Sequence, residues 1–186
     1  CKRNIEIAQN QNPLTKLPGN NQIDKFIKES FQSDDITHIV YFDFNDFKPF
    51  NDYYGFRQGD RAILIFSELL QKNLSKNSFI AHIGGDDFFV GFKNKKFEKV
   101  YKKTKQIQQE FKQCVSSLYN EEDKENGFIR TKDRFAVMRK FKLLSVCSAI
   151  IEITKYSNSS NLDKVLGKIK KDSKLTNTPL GSCILM

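Results

Sequence analysis

His82-Ile83-Gly84-Gly85-Asp86-Asp87-Phe88-Phe89 sets two carboxylates directly after two glycines. Adjacent glycines admit positive φ, so the backbone can reverse tightly there. The flanks, Ser78–Ile83 and Phe88–Phe92, are β-branched and aromatic and read as the two strands of a hairpin. Neighbouring carboxylates at such a tip repel one another and are costly to bury, which invites a cation. With oxygen donors alone, the fitting ion is Mg²⁺ or Mn²⁺. An exposed acidic turn accounts for the same residues equally well, because Gly-Gly-Asp is ordinary turn chemistry. The rest of the chain has to decide.

A third acid strengthens the first reading. Ile36–Phe44 is almost continuously apolar, as a central strand covered on both faces is, and Asp43 arrives just as it ends. If this strand neighbours the hairpin, Asp43, Asp86 and Asp87 converge at one end of a sheet. Two-metal phosphoryl transfer needs such a convergence, to bridge phosphate oxygens and activate a hydroxyl. The amides of Phe47 and Lys48, just past the strand, could cradle phosphates, with the Lys48 ammonium as a point charge.

The elements that must position these groups follow from pattern. Residues 1–11 read as the end of an incoming helix or linker, and 12–186 as one domain. A breaker-rich turn, Asn12–Asn20, holds two prolines. Helical spacing runs over Asn21–Phe31 and again over Asp60–Asn73. Phe97–Leu118 is a long amphipathic helix with Val100, Ile107, Phe111, Val115 and Leu118 on its buried face. Asn120–Arg139 reads as a charged excursion or irregular hairpin, and Phe141–Ile153 as a second apolar strand. A basic helix over Leu162–Lys174 and a short strand near Ser182–Leu185 close the chain. The order predicts an α+β fold, one sheet with helices packed on it.

At 186 residues the chain is long enough for a real core, and 39% hydrophobic content suits a globular domain. It has no apolar run of about 18 residues, which excludes a membrane span, and no signal peptide. Four scattered cysteines without C-x-x-C spacing exclude a zinc or disulfide framework and point to a reducing, cytoplasmic setting. The chain begins without methionine, which predicts a piece of a longer parent that is itself free to be membrane-attached. The net charge of +9 points to anionic partners. Nothing interleaves aromatics with basic residues as nucleic-acid readers do, so phosphate-rich small ligands are the expectation.

The motifs together resemble one family, the GGDEF domains of diguanylate cyclases. Asn12-Pro13-Leu14-Thr15-Lys16-Leu17-Pro18 resembles the family's D-x-L-T-G-L-x-N turn. Asp43, Phe47-Lys48, Asn51-Asp52, Gly55 and Gly59-Asp60 resemble its D-x-D-x-F-K-x-x-N-D-x-x-G-H-x-x-G-D block. Gly84-Gly85-Asp86-Asp87-Phe88 stands where the family signature belongs, and Ser173-Lys174 resembles the Ala-Lys of a closing helix. The resemblance implies a ferredoxin-like sheet akin to the nucleotide-cyclase palm. It implies metals held by Asp43, the Phe44 carbonyl, Asp86 and Asp87, the last two being catalytic. It further implies GTP, with Asn51 and Asp60 on the guanine and Phe47, Lys48 and Lys174 on phosphates. Gly85 would let the nucleotide approach the backbone closely. Two copies would face each other to make cyclic di-GMP, under the control of an upstream or neighbouring signalling domain.

The chain also departs from that pattern. Asp87 replaces glutamate, shortening the reach by about 1.5 Å where a metal contact tolerates about 0.5 Å. Asn45 replaces the second acid of D-x-D, His82 a common arginine, Phe56 a histidine, and Thr178 stands near the place of a late arginine. Ser75 and Ser78 occupy the places of the Arg and Asp that form the family's product-inhibition motif, so no inhibitory site is expected. Micromolar product affinity lost on changing both serines would contradict that. A second function therefore stands beside the first: a degenerate module, with or without GTP, regulating a neighbour such as a phosphodiesterase.

Overall fold

The computed structural model describes residues 10–133 and 135–154, and the backbone of 182–185. Its centre is strand β1 (Thr37–Asn45). β1 pairs antiparallel with β3 (Asp87–Lys93) on one side and with β6 (Ser145–Ile153) on the other. β2 (Phe79–Gly84) lies outside β3, and β7 (Ser182–Leu185) runs parallel to β6, giving the order β2-β3-β1-β6-β7. This is an α+β palm-like sheet, as expected.

The unbroken apolar run of β1 has its explanation in two cores. Val40, Phe42 and Phe44 face the larger one, beneath α3 (Phe56–Asn73) and α4 (Phe97–Cys114). Ile39 faces the smaller one, beneath α1 (Asn20–Gln32). Phe66 of α3 sits at the middle of the larger core, edge-on to Phe42, Phe44, Phe88 and Phe111 at centroid distances of 5.3, 5.4, 4.9 and 5.0 Å. That is the favourable quadrupole geometry for aromatic rings. The α4 stripe is buried as its spacing demands, although the last turn tightens into a 3₁₀ helix over Val115–Leu118.

In the smaller core, Phe26 stacks on Phe79 at 4.6 Å and lies against Gly91 of β3. A Cβ on Gly91 would stand 2.2 Å from the Phe26 ring. Gly91→Ala therefore forces α1 outward, and overpacking of this kind costs about 1–3 kcal/mol. Urea unfolding should show a lowered midpoint with an unchanged slope.

Several expectations need correction. Residues 47–54, to which the sequence pattern assigned no element, form a helix, α2 (Phe47–Tyr54), and α3 begins at Phe56 rather than Asp60. Gly55, at φ 87°, separates the two where a residue with a Cβ would be strained. Asn120–Arg139, expected as an excursion or irregular hairpin, holds a helix before its hairpin: α5 (Glu121–Asn126), capped by the Asn120 side chain, then β4 (Phe128–Lys132) paired with β5 (Met138–Lys142). Phe141–Ile153 is accordingly two strands in two sheets, broken at 143–144. The incoming segment up to residue 9 and the basic helix over 162–174 lie outside the described residues. Among the described residues no helix is long and apolar enough to cross a membrane.

His38 on β1 and His82 on β2 are each 1% exposed. Burial pushes both imidazoles below the ordinary histidine value, with Glu152 beside His38, and the Gly85 carbonyl beside His82, pulling the other way. The unfolded chain thus takes up protons first as pH falls. The stability both contribute is complete above about pH 6.5 and is lost as pH drops through the lower folded values. The urea midpoint should accordingly fall between pH 7.5 and pH 5.5.

Candidate functional site

The β1–β3 register sets Asp43 directly opposite Asp87. Opposite residues of an antiparallel pair share a face, so both carboxylates lie on the α1 side, at the end of the sheet. Tyr41, two residues earlier on the same face, reports the local potential. Burial first, then the Asp87 and Asp43 carboxylates, push its phenol well above the usual tyrosine range. Asp43 is buried and Asp87 half-buried. Asp87 is therefore the first residue of β3, not a second tip residue; only Gly85 and Asp86 bridge the strands. Gly85 has φ 56°, the left-handed region that a Cβ disfavours.

Asp86 turns toward a cleft of about 660 Å³. Its wall includes Phe44 and Asn45 from the end of β1, then Asp46, Phe47 and Lys48. Asp46 caps α2 with φ 59° and makes no side-chain cap hydrogen bond. The amides of Phe47 and Lys48 form the N-terminus of α2, the end of a helix suited to anions, and both residues line the cleft. Lys48 is exposed and holds Asp52 at 2.9 Å, a surface pair worth about 0–1 kcal/mol that a phosphate can displace.

The second wall of the cleft was not visible in the sequence reading. It comes from the β4–β5 hairpin: Lys132, Asp133, Phe135, Arg139 and Phe141. Arg139 Nε contacts Asp133 Oδ2. The available strand signal was only the β-branched pair Ile129 and Thr131 two residues apart, set among charges.

Asn51 and Asp60 lie outside the cleft lining but beside it. Asn51 on α2 rests its carboxamide on Gly59 of α3, and a Cβ there would stand 1.9 Å from Asn51 Oδ1 and 3.2 Å from the Phe47 ring. That oxygen is buried and has no hydrogen-bond partner among the described residues. Asp60, next to Gly59, is exposed. Phe47 lines the cleft and touches this second spot, so the two adjoin. The α2–α3 corner thus brings together the two residues expected on a base. Lys174 lies outside the described residues.

Among the described residues no three His, Cys, Asp or Glu side chains stand together as a ready metal cage. The donor set still suits a hard divalent ion. Mg²⁺ takes one or two carboxylates and completes its octahedron with water and phosphate oxygens. Asn45, in place of the second acid, donates instead to Ser145 Oγ across β1–β6 at 3.0 Å. Ser75 and Ser78 meet each other at 3.3 Å between their hydroxyls.

A family-wide sequence profile described as diguanylate cyclase, GGDEF domain, matches residues 9–129. The bifunctional diguanylate cyclase/cyclic di-GMP phosphodiesterase MucR of Pseudomonas aeruginosa is 31% identical over 90 residues, 46% of this chain and 13% of that protein. A diguanylate cyclase of Vibrio cholerae is 30% identical over 69 residues, 37% of this chain and 22% of that protein. The chain thus aligns with only a small part of either relative's length. Among solved structures, the coiled coil and GGDEF domain of DgcB from Caulobacter crescentus, in complex with c-di-GMP, superposes with a TM-score of 0.75 at 18% identity. That match covers 98% of this chain and 90% of the other.

Proposed function

This chain belongs to the GGDEF family, and on that premise we propose that it is a diguanylate cyclase domain joining two GTP molecules into cyclic di-GMP. The observation that carries this reading is the shared sheet end: Asp43 opposite Asp87, beside the cleft that Asp86, Phe44 and the start of α2 line. Asp43, Asp86, Asp87 and the Phe44 carbonyl would hold Mg²⁺ or Mn²⁺. When bound, such an ion neutralises developing charge on the phosphates and lowers the pKa of a coordinated hydroxyl. The Phe47 and Lys48 amides and the Lys48 ammonium bind the triphosphate, with Lys174 as a further cation. The Asn51 carboxamide oxygen and the Asp60 carboxylate accept the N–H donors of guanine's Watson–Crick edge. Gly85 keeps the tip free of a side chain where the nucleotide passes.

Each domain carries one GTP, so a homodimer completes the reaction. The 3′-hydroxyl of one nucleotide gives up its proton to solvent and its oxygen attacks the α-phosphorus of the other; the new P–O bond forms, the bond from that phosphorus to the bridging oxygen breaks, and pyrophosphate leaves with that oxygen. The same exchange in the opposite sense closes the ring. The chemistry uses a cytoplasmic nucleotide, and a neighbouring signalling domain would govern the pairing of the two copies.

The test is incubation of the chain with GTP and Mg²⁺, with the product identified by mass. Cyclic di-GMP supports the cyclase. GTP binding in calorimetry without turnover supports the second reading, a regulatory module that has lost catalysis. The specific observation favouring that alternative is Asp87, short by one methylene and fixed at the strand start. If it limits the reaction, Asp87→Glu should restore turnover to a chain that only binds. Absence of any GTP binding removes the cyclase reading and leaves only a module that regulates without nucleotide.

A further inference from the structure

His82 stands at a junction that the reaction chemistry leaves unused. Its ring, 1% exposed, stacks on Phe88 of the neighbouring strand at 4.3 Å and 5°. Nε2 lies 2.9 Å from the Gly85 carbonyl, and Nδ1 lies 3.0 Å from Thr15 Oγ1. A carbonyl only accepts, so Nε2 carries the proton. The hydrogen bond at one ring nitrogen sets the role of the other. In the neutral ring Nδ1 is an acceptor, and the Thr15 hydroxyl donates to it. The same hydroxyl oxygen accepts from the Leu17 amide at 3.4 Å. Burial, which lowers the His82 pKa, favours this neutral form. Thr15 O–H to Nδ1 and Nε2–H to the Gly85 carbonyl thus form one directed relay.

Only the Thr15 end of the relay is held by its own hydrogen bonds. Thr15 belongs to the Asn12–Pro18 turn, where Asn12 Oδ1 accepts from the Leu14 and Thr15 amides and Asn12 N–H donates to the Leu17 carbonyl at 2.8 Å. The Pro18 carbonyl accepts from the His82 amide at 2.9 Å, and Leu17 is buried in the larger core. At the other end, Gly85 holds a left-handed conformation, with φ 56°, next to an irregularity in the β2–β3 register. A glycine in a two-residue loop has many accessible conformations, and Asp86 follows it directly.

We propose that His82 is a positioning residue: through Thr15 and the Gly85 carbonyl it clamps the tip that carries Asp86 to the Asn12–Pro18 turn, so that turn and tip hold or loosen together. Its consequence for metal and nucleotide rests on the cyclase reading above; the clamp itself does not. Whatever displaces the turn, a preceding segment included, then changes the aim of Asp86 without touching the cleft.

The experiment uses the ¹⁵N-labelled chain and three variants. Thr15→Val keeps the shape and removes the hydroxyl, Thr15→Ser keeps the hydroxyl, and His82→Gln alters the relay centre itself. Backbone order parameters at Gly85 and Asp86 should fall from about 0.85 towards 0.6 in Thr15→Val and His82→Gln, and stay at the wild-type value in Thr15→Ser. The His82 ring nitrogens should show the Nε2–H tautomer. Mn²⁺·GTP affinity by calorimetry should drop about tenfold in the first two variants and recover in Thr15→Ser, an effect that lowered stability alone does not produce. Unchanged order at Gly85 and Asp86 in Thr15→Val overturns the clamp. Loosening of the tip in a chain that binds no Mn²⁺·GTP leaves the clamp standing and sinks the cyclase reading instead.

Discussion

Asp86→Ala should remove the conversion of GTP to cyclic di-GMP by on the order of a thousandfold, with the melting temperature little changed. Asp86 is half-buried in a two-residue turn whose shape is set by Gly85 and by the His82 contact to the Gly85 carbonyl. Its loss takes away a carboxylate that lines the cleft. The contrast with Asp87 sharpens the expectation. Asp43 and Asp87 are directly opposed, and like charges in that relation destabilise a strand pair by about 0.2–1 kcal/mol. Asp87→Asn should therefore raise the melting temperature by a few degrees while also removing turnover. Added Mg²⁺ should stabilise the wild type, whose opposed carboxylates it screens, and should stabilise Asp87→Asn much less. A wild-type melting curve indifferent to Mg²⁺, together with full activity in Asp86→Ala, would sink the assignment of these acids.

How much of this was legible in the chain depends on the range over which each signal acts. The β1 run and the α4 stripe were readable because burial on two faces or on one face leaves its own periodicity in the residues. The glycine tip was readable because positive φ selects for glycine. The segment 47–54 was not read as helix: Pro49 and the Asn51-Asp52 pair look like turn residues. Pro49 in fact sits within the first turn of α2, where a missing N–H costs nothing. The β4–β5 hairpin was legible only as one of two readings of Asn120–Arg139, because β5 is charged and mostly exposed and β4 carries two charges in five residues, so alternation hardly registers. Its place as a cleft wall could not be read at all, since it depends on α2 packing against β4, a contact between distant segments. Likewise, Asp43 and Asp87 were both named, but their direct opposition is a matter of register, and register is set by the whole hydrophobic pattern of the pair. The Asn45 substitution looked like a lost acid; the structure gives that position a hydrogen bond to Ser145 instead.

Gly59→Ala should separate binding from folding most cleanly. In a helix interior, alanine is favoured over glycine by about 1 kcal/mol, so α3 itself gains. The new methyl, however, would fall 1.9 Å from Asn51 Oδ1 and 2.9 Å from Asn51 Cγ. The obstacle is the end of a short side chain, which can swing to another rotamer, and Phe47 at 3.2 Å needs to yield only slightly. The melting temperature should stay within a few degrees of the wild type. The carboxamide, by contrast, leaves the position where its buried oxygen has no partner in the chain's described residues. Under the cyclase reading that oxygen waits for a guanine N–H, and leaving that donor unsatisfied costs about 1–3 kcal/mol, or about 5–150-fold in affinity. Calorimetry with GTP should show this loss, whereas ATP, whose adenine lacks the N1–H and N2–H₂ donors, should bind wild type and variant with the same weak affinity. Asn51→Ala should reproduce the loss, and Gly59→Ala combined with Asn51→Ala should add little, since both act on one contact. If Gly59→Ala keeps wild-type GTP affinity while Asn51 is displaced, guanine is held elsewhere and the α2–α3 corner is only a packing joint.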